Sequence, residues 1–202
     1  VPEGSVGYTI TVKGLNGGHS GMDIHKGLGN ANKIMNRLLF DAFENFGLQI
    51  VEINGGSLRN AIPRESVAKV IISQMFDEAY VYDMQEIIAD IKAEYKTTEP
   101  NLIIEIVKGD LPVKVMDLGV QEGIIRAIYA AQNGVYRMSA DMADLVETSN
   151  NIARVVIKDG EILVGCLTRS SVESSKFDLA NSLRSAFELV GCEVELTGSY
   201  PG

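Results

Sequence analysis

Between residues 6 and 107 the spacing of apolar side chains switches between two periods in a fixed order. GYTITVKG sets Tyr8, Ile10 and Val12 at alternate positions, the pattern of a strand with one buried face. Residues 27–46 then carry Ile34, Leu38, Ala42 and Phe46 four apart, which predicts a helix stopped by Gly47. LQIVEIN and SVAKVIIS alternate again, joined by GGSLRNAIPRE, which is too long for a tight hairpin and contains Pro63. A second helix follows, with Val81, Met84, Ile87, Ile88, Ile91 and Tyr95 on one stripe, and NLIIEIV closes the series as a strand. Strand, helix, strand, strand, helix, strand buries its apolar faces by laying the helices on one side of an antiparallel sheet.

Residues 110–202 partly repeat that order. Val120, Ile124, Ile125, Ile128 and Ala131 mark a helix, and VYRMSADMADLVET reads as a strand. ARVVIKDGEILVGCLT is a hairpin turning at Lys158-Asp159-Gly160. Phe177, Ala180, Leu183, Phe187 and Val190 mark a last helix stopped by Gly191, and CEVELTG reads as a final strand. The expected fold is α+β: two related ferredoxin-like α/β units, residues 1–109 and 110–202, with antiparallel sheet and helices packed on one face. KGDLPVKVMD joins them.

Composition limits the partners. With 202 residues, 46% of them apolar, the chain can bury a core as one large domain or two small ones. A net charge of −9 and 18 scattered basic residues exclude a nucleic-acid surface, which needs clustered Lys and Arg. No apolar run approaches the roughly 18 residues of a membrane span, so a soluble, cytoplasmic protein without membrane partners is expected. Cys166 and Cys192 lie in apolar runs and read as small buried thiols of a reducing compartment, although one disulfide between them stays open.

The chemistry concentrates in LNGGHSGMDIH, which follows the first strand and holds both histidines of the chain. His19 and His25 stand six apart, the cysteines are distant, and no HxxxH or CxxC exists, so no metal site is expected here. Asp77-Glu78 and Glu86-Asp90 read as solvated helix faces. The glycines match neither GxxxxGK[ST] nor GxGxxG, and GGHSG departs from the GxSxG elbow because its apex is His19. Taken singly, His19 is a loop histidine bonded locally, Asn60 a turn former and Arg169 a surface arginine at a strand end. Taken together, a neutral donor, an amide and a fixed guanidinium at strand ends are the parts that grip a peptide carbonyl and a carboxylate.

GLNGGHSGMDIHKGLGNANK, with NGGSLRNAIPRE, TSNNIARV and LTRSSVESS, resembles the aminoacyl-histidine dipeptidases, the Xaa-His dipeptidases of the M20 metallopeptidase family, along the whole chain. In that family a two-zinc catalytic domain is interrupted by an inserted lid. This chain is similar to the lid, cut out at both ends, in keeping with its start at VPEG and its end at SYPG. The resemblance implies that His19 stabilises the oxyanion at the scissile carbonyl, that Asn60 bonds bound substrate, and that Arg169 holds the substrate's terminal carboxylate. His25, Asn150 and Asn151 fall in the same motifs without an implied role. The metal ligands and general base would lie in the absent catalytic domain, which would hold both zinc ions, so the fragment alone would be inactive. The implied partners are a small dipeptide, the enzyme's own catalytic domain and, in a homodimer, a second copy. Two other classes stay open: a non-catalytic self-association module, and a regulatory domain that binds a small ligand.

Overall fold

The structure, a computed structural model, describes residues 1–199; the rest of the SYPG end lies outside it. The first half builds β1 (Ser5–Lys13), a two-residue β2 (Gly18–His19) and helix α1 (Ala31–Phe46). It continues with β3 (Gln49–Gly56), a two-residue β4 (Ala61–Ile62), β5 (Ser66–Ser73), α2 (Asp77–Tyr95) and β6 (Ile103–Gly109). The second half builds α3 (Leu118–Ala130), β7 (Gly134–Met138), β8 (Val146–Lys158), β9 (Glu161–Ser170) and α4 (Glu173–Glu188).

Seven strands form one antiparallel sheet in the order β6-β1-β5-β3-β8-β7, with β9 also paired to β8. The β3–β8 pairing fuses the two halves edge to edge. Tyr8, Ile10 and Val12 are buried as their alternation predicts, and they share one core with Leu38 and Leu39 of α1, Met84 and Ile91 of α2, Ile124 and Ile128 of α3 and Leu179 and Leu183 of α4. α1 is well terminated. Asn30 Oδ1 accepts from the amides of Asn32 and Lys33, a cap worth about 0.5–2 kcal/mol, and Gly47 closes the other end at φ 63°. Lys33 Nζ donates to the carbonyls of Ile128, Tyr129 and Ala131 and so satisfies the exposed end of α3.

Two expected strands differ. VYRMSADMADLVET is not continuous: β7 stops at Met138 and β8 begins at Val146, with a loop that Ser139 closes by donating its amide to the Leu145 carbonyl. CEVELTG forms no strand among the described residues. Its alternation only half-buries Cys192 and Val194 and leaves Leu196 exposed, and no strand edge pairs with it. Both thiols are free and half-buried, without a disulfide; burial pushes Cys166 up to about 11, out of the range where it would ionise.

The sheet has one internal gap that matters. On one edge of β8, β7 pairs with residues 146–150 and β3 with residues 154–157, so residues 151–153 have no strand beside them there. Asparagine amides take the ladder's place. The Ile152 amide donates to Asn133 Oδ1 at 2.9 Å, and its carbonyl accepts from Nδ2 of Asn30 and of Asn32, both at 3.1 Å.

Candidate functional site

His19 lies in β2, opposite Ala61 of β4, and the neighbouring Ser20 amide donates to the Asn60 carbonyl at 2.9 Å. That ribbon sets the two motif loops side by side. The His19 loop is pinned at both ends by one buried carboxylate: Glu99 accepts the Asn16 amide at 2.7 Å and the Gly29 amide at 2.8 Å. Inside it, Asp23 Oδ2 accepts the His19 amide at 2.7 Å, while Asp23 Oδ1 meets Lys26 Nζ at 2.6 Å. The Lys26 ammonium first, and then the His19 amide, holds the Asp23 carboxyl below its usual range and therefore ionised.

The half-buried His19 ring is fixed in one tautomer. Its Nδ1 accepts from the amides of Gly21 at 3.1 Å and Met22 at 3.2 Å, so that nitrogen carries a lone pair. In the neutral ring the proton must then sit on Nε2, which makes no hydrogen bond with the described residues and is free to donate. A backbone loop has turned a titratable ring into a directed N–H.

Arg169 reaches the same place from β9, where it pairs with Ser149 of β8. A Cβ placed on Gly21 would stand 3.2 Å from Cε1 and 3.3 Å from Nδ1 of His19 and 3.4 Å from Cδ of Arg169. The imidazole and the arginine stem thus meet over Gly21, which has no side chain to part them. Arg169 Nε is buried and has no hydrogen-bond partner among the described residues.

Asn60 is exposed in the four-residue loop 57–60, and its side chain is unbonded to the described residues. Its backbone is held tightly. Asn151 Nδ2 donates to the carbonyls on either side, Ala61 at 2.8 Å and Arg59 at 3.3 Å. Arg154 holds the other end of the loop through the carbonyls of Gly55, at 3.3 Å, and Gly56.

His19 therefore neighbours both other sequence-predicted residues, the backbone of Asn60 through the ribbon and the stem of Arg169 over Gly21. His25 does not join them; it stands exposed on a short 3-10 turn, Ile24–Lys26. Asn150 serves the fold, donating to the Gln132 carbonyl at 2.7 Å and accepting from Thr168 Oγ1 at 3.1 Å. Sequence reasoning missed the roles of Glu99 and Asn151. The second carried a signal, because adjacent asparagines inside a strand contradict strand propensity and ask for a local reason. Among the described residues no group of three or more His, Cys, Asp or Glu could hold a metal ion, so the side chains here do not fit a zinc centre. None of the described helices is long and apolar enough to cross a membrane.

Residues 3–101 match the peptidase dimerisation domain of the M20 peptidases. The chain is 38% identical, over its full length, to the cytosol non-specific dipeptidase of Escherichia coli K12, of which it spans 42%. Its fold superposes over its full length on the aminoacylhistidine dipeptidase of Vibrio alginolyticus with a TM-score of 0.96 at 35% identity, covering 41% of that chain. The chain spans less than half of both relatives, and it belongs to the M20 peptidase family as the dimerisation, or lid, domain of a dipeptidase-related member.

Proposed function

We propose that this chain is the lid and substrate-recognition domain of a zinc-dependent cytosolic dipeptidase that hydrolyses Xaa-His dipeptides. The observation that carries this reading is the His19 ring, whose Nδ1 is occupied by two backbone amides and whose Nε2–H is left free beside Arg169. The relatives' names support the substrate class: one is an aminoacylhistidine dipeptidase, the other a cytosol non-specific dipeptidase. The two zinc ions of such an enzyme belong to a catalytic domain outside these residues. For that reason the fragment alone is inactive.

The chain's own residues bind and polarise the substrate. Nε2–H of His19 donates to the scissile carbonyl oxygen and strengthens its bond as negative charge develops there, a contribution of about 2.7–4 kcal/mol for one such donor. The Asn60 amide bonds the bound peptide. Arg169 offers a planar fork to the terminal carboxylate, and its unpartnered Nε is the donor in reserve. A second copy of the chain is a further partner, as the name of the matching domain suggests.

Arg169→Lys in the full-length enzyme tests the clamp, because an ammonium is a point charge without the fork. The expected loss in kcat/KM is roughly ten- to a hundredfold for a free dipeptide, the worth of a hydrogen bond to a charged group. It should nearly vanish for the same dipeptide amidated at its C-terminus. Equal losses on both substrates contradict the clamp.

A further inference from the structure

Asn151 is fully buried at the centre of β8, where the ladder is broken on the β7–β3 edge. Its amide has one allowed orientation, set by a chain of directional bonds. The carbonyls of Arg59 and Ala61 can only accept, so Nδ2 must face them; Asn151 Oδ1 then faces Asn30 Nδ2 at 3.3 Å, behind the closer acceptors of that amide, Asn133 Oδ1 and the Ile152 carbonyl at 3.1 Å. Asn151 Nδ2 thus donates into loop 57–60, to the two carbonyls that flank Asn60. The Asn60 carbonyl in turn accepts from Ser20, the residue after His19.

A β-bulge makes this reach work. The register between β8 and β9 slips between Ile152 and Arg154: Asn151 pairs with Leu167 and Arg154 with Gly165. Residues three apart on a regular strand face opposite sides, but partners two apart on β9 show that Asn151 and Arg154 share one. The extra residue at position 153 therefore lets a single strand hold both ends of the loop. Gly56 at φ 71° completes the fit, since a Cβ there would collide with the Ala153 carbonyl.

We propose that Asn151 is a positioning residue for substrate binding, fixing through the carbonyls of Arg59 and Ala61 the direction in which the Asn60 amide is presented. This rests on the reading of Asn60 as a substrate contact. No other small polar side chain replaces it: Ser and Thr have one donor, and Asp would set a carboxylate against two carbonyls.

The test is a double-mutant cycle in kcat/KM on the full-length enzyme, with Asn60→Ala, Asn151→Ala and the pair. Asn60→Ala should lower kcat/KM, and Asn151→Ala should lower it by roughly three- to a hundredfold, the span of coupling within one hydrogen-bond network. In the Asn60→Ala background Asn151→Ala should cost nothing further in kcat/KM, while it lowers the unfolding midpoint equally in both backgrounds. Losses that multiply would show a structural role without a path through Asn60, and would overturn the inference alone. An Asn60→Ala enzyme with full activity would overturn the inference together with the substrate reading of Asn60. If Asn151→Ala does not fold, Asn151→Leu fills nearly the same volume, removes both donors without adding a charge and is read in the same cycle.

Discussion

The imidazole of His19 receives its chemistry from two backbone amides rather than from another side chain. Those bonds commit Nδ1 and leave Nε2–H as the nitrogen free to donate, so the placement of the ring sets where that donor points. Gly21 controls that placement, standing between the imidazole and the Arg169 stem. Gly21→Ala would bring its Cβ to 3.2 Å from the ring and 3.4 Å from the arginine. Both neighbours are side chains that can yield by a few tenths of an ångström, so the fold should survive while the geometry shifts. The expected result in the full-length enzyme is a roughly ten- to a hundredfold fall in kcat/KM, with an unfolding midpoint within about 2–4 °C of the parent. Unchanged kcat/KM with an intact fold would remove Gly21 from the account. The sequence offers His19, Asn60 and Arg169 as candidates, by residue type and by their place near strand ends. The tautomer was not legible, because it depends on how residues 19–22 turn.

β8 is the element on which the site is built, and it was only half legible. The turn at Asp159-Gly160 announces its C-terminal end, and both residues indeed take positive φ. Its polar start, ETSNN, reads poorly as a strand because the asparagines are held by α1 and the loop before β7 instead of by an apolar face. CEVELTG fails in the opposite way: local alternation suggests a strand, but no edge receives it. In the helix layer, Asp41 of α1 stands against Asp83 of α2, and each has one buried oxygen without a partner among the described residues. Burial first, and then the Asp83 carboxyl, raise Asp41 from 3.8 to about 6, against smaller opposing pulls from Asn45 and Arg37. A raised carboxyl keeps its proton in the folded chain after the unfolded chain has lost it. Its stabilising contribution is thus full below about pH 4 and is lost as pH rises through 6. Asp41→Asn should therefore raise the melting temperature relative to the parent at pH 7.5 and lose that advantage by pH 4. An advantage that grows toward acid pH would reverse the sign and contradict the pairing.

At the scale of the whole molecule, the site depends on the fusion of the two halves. His19 and Asn60 come from residues 1–109 and Arg169 from residues 110–199, and the β3–β8 pairing joins the sheet between them. The order of periodic segments made an antiparallel α+β fold readable, but the gap at Ile152 is filled by Asn30 and Asn32 from 122 and 120 positions away as well as by Asn133 from 19 away, and has no local signature. The proposed function, in which this domain supplies a donor but no metal ligand, makes a sharp claim about the full-length protein. The most direct measurement is the steady-state kinetics and metal content of full-length His19→Ala. The account predicts a fall in kcat of roughly a hundred- to a thousandfold, little change in KM, and the parent's metal content. A kcat equal to the parent's, or loss of bound metal with the mutation, would contradict it.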